Sequence, residues 1–141
     1  MVEIRIRYEG ALRCRAQHAP SSNELVTDAP VDNQGRGESF SPTDLVATAL
    51  GTCMLTIMGI RAQEHGWSLE GATVVVRKHM AADLPRRIGR LDVKVEVPGS
   101  FDAEARRVLE QAARTCPVAL SIHPQIEVVL ELAWLAAGVH G

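Results

Sequence analysis

Three cysteines, Cys14, Cys53 and Cys116, are the residues of this sequence best suited to chemistry. A cysteine acts through its thiolate, as a nucleophile or as a metal ligand. Zinc sites need cysteines and histidines at short, regular spacings. Here no CxxC pair occurs and the five histidines are scattered, so neither metal nor cofactor is expected. Cys53 has Val46, Ala49, Leu50, Ile57 and Ile60 on its helical face, and a buried cysteine in such a setting serves equally well as a small hydrophobe. Cys116 continues the apolar stripe of a second helix and carries the same alternative. If those helices cross face to face, the two sulfurs could meet and bridge, which sequence by itself leaves open. Cys14, between Leu12 and Ala16, reads as core.

The elements that must position these residues are legible in outline. Val2, Ile4, Ile6 and Tyr8 alternate with Glu3, Arg5 and Arg7, the period of a half-buried strand. Gly10 marks a hairpin turn into Leu12, Cys14 and Ala16, and a short strand is expected near Glu24–Thr27. At Ser41 a helix start is signposted several times over. Ser41 is a good N-cap, Pro42 suits the first helical position, Asp44 sits where a capping-box acid belongs, and Phe40 with Leu45 fits a hydrophobic staple. This helix is predicted to run to His65, with Gly66 as its C-terminal cap, and its nearly uniform apolarity marks it as central and buried. Ala47, Ala49, Gly51 and Gly59 would let another backbone approach it closely. Strands are predicted over residues 69–81, 88–97 and 126–134, and a second helix over 102–115, where Pro117 limits its continuation. Trp67 and Trp134 are expected to anchor packing.

The chain is the size of one domain. It is expected to hold N-terminal strands and a loop over 1–40, a central helix over 41–65, and strands with the second helix over 66–141. Clustered strands predict an α+β fold. A formal charge of −2 gives no basic footprint for nucleic acid. The N-terminus lacks the basic start and apolar run of a signal peptide. The greasiest stretch, Val46 to Ile60, falls short of the roughly 20 residues a bilayer requires, so no membrane partner is expected. The expected compartment is the cytoplasm, where cysteines rest as thiols.

Two segments carry a resemblance. SPTDLVATALGTC, from Ser41 to Cys53, resembles the first signature of the OsmC/Ohr family, and TCPVALSIHPQIEV, from Thr115 to Val128, is similar to the second. GRGESFSPTDL looks closer to the broad OsmC-like branch than to the organic hydroperoxide resistance enzymes. The resemblance implies curved, antiparallel-rich sheets around two central helices in an intertwined homodimer. It also implies thiol peroxidase chemistry on an organic hydroperoxide. Cys53 would become a sulfenic acid, Cys116 would condense with it to a disulfide, and a dithiol or protein reductant would restore both.

The family holds its first cysteine as thiolate with an arginine, for which Arg36 is the first candidate and Arg13 and Arg15 the next; Glu38 is placed to orient such an arginine. Strongly active members carry Glu directly after the helix-opening Pro. Thr43 stands there instead, with Asp44 one step on, turned by about 100°. That departure favours a second reading, a dimer that binds a small apolar or thiol-reactive ligand without turnover; a third reading is a redox sensor in which a Cys53–Cys116 disulfide changes a partner surface.

Overall fold

The computed structural model describes residues 1–135, which fall into two compact units, Met1–Val46 and the remainder from Ala47. The first unit is a three-stranded antiparallel sheet in the order β1 (Ile4–Gly10), β2 (Arg13–His18), β3 (Glu24–Thr27). The hairpin turn lies at Ala11 and Leu12, both with positive φ, and Gly10 supplies the bulge before it rather than the turn itself. Two consecutive left-handed residues match the twist of a two-residue hairpin loop, at some steric cost for side chains other than glycine. The paired positions put Ile4, Ile6, Tyr8, Cys14, Ala16 and Leu25 on one face. The half-buried β1 read from the sequence is corrected: Ile4, Ile6 and Tyr8 are all exposed, because this unit carries no complete helix of its own to cover the sheet.

α1 (Pro42–His65) starts and stops where its capping residues predict. The Asp44 amide donates to Ser41 Oγ at 3.1 Å and the Ser41 amide donates to Asp44 Oδ2 at 2.9 Å, a reciprocal capping box. Gly66 follows with φ of 74°, the left-handed conformation that ends a helix. The helix outruns the apolar stretch marked in the sequence. At 24 residues it is long and apolar enough, by length and composition, to cross a membrane. Part of that apolarity serves the second unit, where Leu50, Met54, Met58 and Ala62 are buried in the core.

That core is built on a sheet ordered β4 (Thr73–Met80), β5 (Ile88–Pro98), β6 (Glu127–Leu135). Leu91, Val93, Val95 and Val97 point inward from β5, and Val128, Leu130, Leu132 and Trp134 pack against the cluster from β6. β4 begins later than predicted, since residues 69–72 close a turn in which the Ala72 amide donates to the Leu69 carbonyl. β5 and β6 are parallel, joined by α2 (Ala103–Arg114) and α3 (Pro117–Ser121). Parallel neighbours need such a crossover, and here its helix buries Leu109, Ala112 and Ala113 against the core. The fold is therefore α+β, antiparallel in three of the four strand pairings among the described residues. The short α3 was not foreseen. Pro117 does end α2, but it also opens α3 at the first helical position.

Candidate functional site

The second unit brings the two helix-borne cysteines together. Cys53 lies mid-α1, half-buried at the edge of the core, and Cys116 is fully buried in the link between α2 and α3. α2 carries Cys116 inward because its apolar stripe, with Ala105, Leu109 and Ala112, must face the sheet. Asp102 starts that helix cleanly, its Oδ1 accepting the Ala105 amide at 2.8 Å. The Cys116 sulfur caps α3, accepting the Ala119 amide at 3.4 Å. Burial pushes the Cys116 thiol above its ordinary value; the Ala119 amide works against that, and the hydrogen bond to Cys53 adds to it. Burial thus favours the neutral form of the Cys116 thiol, next to Cys53. A cavity of about 660 Å³ in this unit, lined by Phe101, Asp102, Arg106 and Trp134 among others, includes neither cysteine.

The first unit holds an arginine–carboxylate cluster. Beyond the last β2–β3 pair, Cys14 with Thr27, the same register points Arg13 at Asp28. Arg13 Nη2 donates to Glu38 Oε2 at 2.7 Å and lies 3.5 Å from Asp28 Oδ2. Arg15 is engaged by Glu9 and Glu24, each at 3.0 Å. Arg36, the leading candidate from sequence, is 77% exposed and 3.8 Å from Glu38, whereas Arg13 is 31% exposed. Its loop turns the Arg36 side chain outward, while the sheet register fixes Arg13 between two carboxylates. Asp44 spends one carboxylate oxygen on the helix cap. Cys14 is half-buried on β2, opposite Tyr8 and Thr27.

Asp28 was not singled out in the sequence, where it is one acid in a mixed loop. It is 1% exposed. The Glu38 amide donates to its Oδ2 at 3.1 Å, while Oδ1 is buried without a hydrogen-bond partner. Its pKa is held below the ordinary value, first by the Glu38 amide and also by the Arg13 charge, against the opposing effect of burial.

Comparison with known proteins fits this architecture. The family described as OsmC-like protein matches residues 35–131. A crystal structure from Psychrobacter arcticus, described as a candidate osmotic stress induced and detoxification response protein, is 46% identical over 94% of this chain and 96% of that one, with a TM-score of 0.88. The chain belongs to the OsmC-like protein family. Two organic hydroperoxide resistance proteins share the fold at lower identity. That of Legionella pneumophila is 17% identical, covering 94% of this chain and 96% of its own, with a TM-score of 0.76. That of Elizabethkingia anophelis is 16% identical, covering 94% and 95%, also with a TM-score of 0.76. No curated protein matches the chain.

Proposed function

We propose that this protein is a cysteine-based peroxidase that reduces organic hydroperoxides. The observation that carries the reading is the pairing of a half-buried Cys53 with a fully buried Cys116. Attack of the Cys53 thiolate on the peroxide O–O bond releases an alcohol and leaves a sulfenic acid. Cys116 then displaces water from that sulfur, forming a Cys53–Cys116 disulfide, and a dithiol or protein reductant restores both thiols by exchange. Cys53, the more accessible sulfur, meets the substrate, and Cys116 resolves. The apolar residues around Cys53 favour an organic hydroperoxide over hydrogen peroxide, since a greasy substituent gains from burial.

Among the arginine candidates, Arg13 is held by two carboxylates, Glu38 and Asp28, and Arg36 lies near one, Glu38. Glu38 accepts from Arg13, and Thr43 stands where active family members carry the Glu that follows the helix-opening Pro. Asp44 remains the helix cap.

The working form is proposed to be a homodimer in a reducing, cytoplasmic setting. Residues 45–60 of α1 carry no charge, and its exposed Thr48, Thr52 and Thr56 lie on one stripe. Thr52 and Thr56 return their hydroxyls to the helix backbone, at 2.8 Å to the carbonyls of Thr48 and Thr52. A solvated helix face is ordinarily charged, so this stripe, like the exposed Ile4, Ile6 and Tyr8, suits cover by a second copy.

Stopped-flow consumption of cumene hydroperoxide and of hydrogen peroxide, with a dithiol reductant, tests the reading in wild type and Cys53→Ser. Fast turnover that prefers the organic peroxide and falls to the free-dithiol background in Cys53→Ser is expected. Full turnover by Cys53→Ser would sink the mechanism, and inert wild-type thiols would leave a ligand-binding dimer as the better account.

A further inference from the structure

We propose that the sulfur of Cys116 is a redox-sensitive cap of α3, and that forming the Cys53–Cys116 disulfide withdraws it and releases the segment from Pro117 to Ser121. The inference rests on the reading of these two cysteines as a redox pair. The first turn of a helix leaves amides that no carbonyl of the helix reaches. In α3 most of them are already accounted for. The Cys116 amide donates to the Ala113 carbonyl at 3.4 Å, Pro117 has no amide hydrogen, and the Leu120 amide donates to the Cys116 carbonyl at 3.1 Å. The Val118 and Ala119 amides remain, and both act on the Cys116 sulfur, the Ala119 amide at 3.4 Å. Little else holds the segment. It is five residues long and none of them is buried; Val118 and Ala119 pack against the core without entering it, and Leu120 is 73% exposed. A helix of that length does not sustain itself in water.

One sulfur cannot serve both partners at once. In the reduced protein Cys116 lies in hydrogen-bonding reach of Cys53 while it caps α3. A covalent bond requires a much closer approach, and the movement falls on Cys116. Cys53 sits mid-α1 beside the buried Leu50 and Met54, where the preceding helical turn restricts its side-chain torsion. Cys116 has extended backbone, with φ of −65° and ψ of 151°, and a single torsion aims its sulfur. Rotation toward Cys53 carries that sulfur off the amides. The oxidation itself balances: two thiols and one organic hydroperoxide give one disulfide, one alcohol and one water. The O–O bond breaks and the S–S bond forms, the sulfur pair is oxidised and the peroxide reduced.

The test is hydrogen–deuterium exchange in the full chain, read by mass spectrometry of peptides spanning residues 117–123 after reduction in the quench. Reduced wild type is compared with protein oxidised by cumene hydroperoxide and, separately, by diamide, which takes the two hydrogens of the thiols. Oxidation should speed exchange in these peptides about fivefold, the effect of one lost helix cap, and leave α2 unchanged. Cys116→Ala should show the same rise with no oxidant present. Cys116→Ser, whose hydroxyl is a good cap, should exchange no faster than reduced wild type. Cys53→Ser should show no rise on treatment with diamide. The comparison of reduced with oxidised wild type decides the matter if the alanine variant fails to fold.

A disulfide that forms while exchange over residues 117–123 stays unmoved overturns the proposal. So does an equal rise in α2 and β5, which marks a general loosening, or a Cys116→Ala profile identical to that of reduced wild type. Failure of diamide to join the two sulfurs overturns it too. Release of α3 by diamide, with no disulfide formed by the hydroperoxide, refutes the peroxidase reading and leaves the redox-sensitive cap standing.

Discussion

Cys116 and Asp28 are both buried groups able to lose a proton, and their surroundings drive them in opposite directions. Around Cys116 the core supplies aliphatic side chains, so burial dominates and the neutral thiol is favoured. Around Asp28 the loop supplies an amide and β2 supplies a guanidinium, so the anion wins despite equal burial. Burial alone therefore does not fix a charge state; the availability of donors does.

The largest expected effects come from breaking the dry region. Leu50→Ala empties a fully buried position on α1 and should cost about 2–5 kcal/mol in urea unfolding. Gly51 and Gly59, eight residues apart on α1, separate the face that is already packed from the one that is not. A Cβ at Gly51 would lie 2.8 Å from Val76 Cγ2, so Gly51→Ala should destabilise by about 1–3 kcal/mol. A Cβ at Gly59 meets nothing within 4 Å, so Gly59→Ala should stabilise the protomer by up to about 1 kcal/mol through helix propensity. A weakened dimer with a stabilised protomer, measured by sedimentation, would place the partner copy on that face. Asp102→Ala, at the cap of α2, should cost about 1 kcal/mol in the same unfolding assay.

The pH profile of stability sharpens the contrast further. Asp28 has a depressed folded pKa, so its contribution is present above the ordinary carboxylate value and is lost as pH falls through the folded one. Cys116 has a raised folded pKa, so its contribution is present below the ordinary thiol value and is lost as pH rises through the folded one. Asp28→Asn should flatten the acid limb alone and Cys116→Ala the alkaline limb alone, in denaturation midpoints measured across pH.

Much of the fold was written in local chemistry. Ser41, Pro42, Asp44 and Gly66 set both ends of α1 because capping is decided within one helical turn, and alternation in β5 and β6 named their buried faces because a strand has period two. Of the two helix-borne cysteines expected to face inward, Cys116 is fully buried and Cys53 is half-buried. Local patterns said nothing of pairing between distant segments. The parallel register of β5 with β6, the capping of α3 by Cys116, and the meeting of Cys116 with Cys53 each join residues whose approach depends on the packed core. The arginine shows the division most plainly. Arg13, Arg15 and Arg36 are equivalent as letters, and no periodicity ranks them. The β2–β3 register and the fold of the loop set Arg13 against Asp28 and Glu38 and turn Arg36 toward solvent, because a salt-bridge partner is chosen by distance in space, which sequence spacing does not encode.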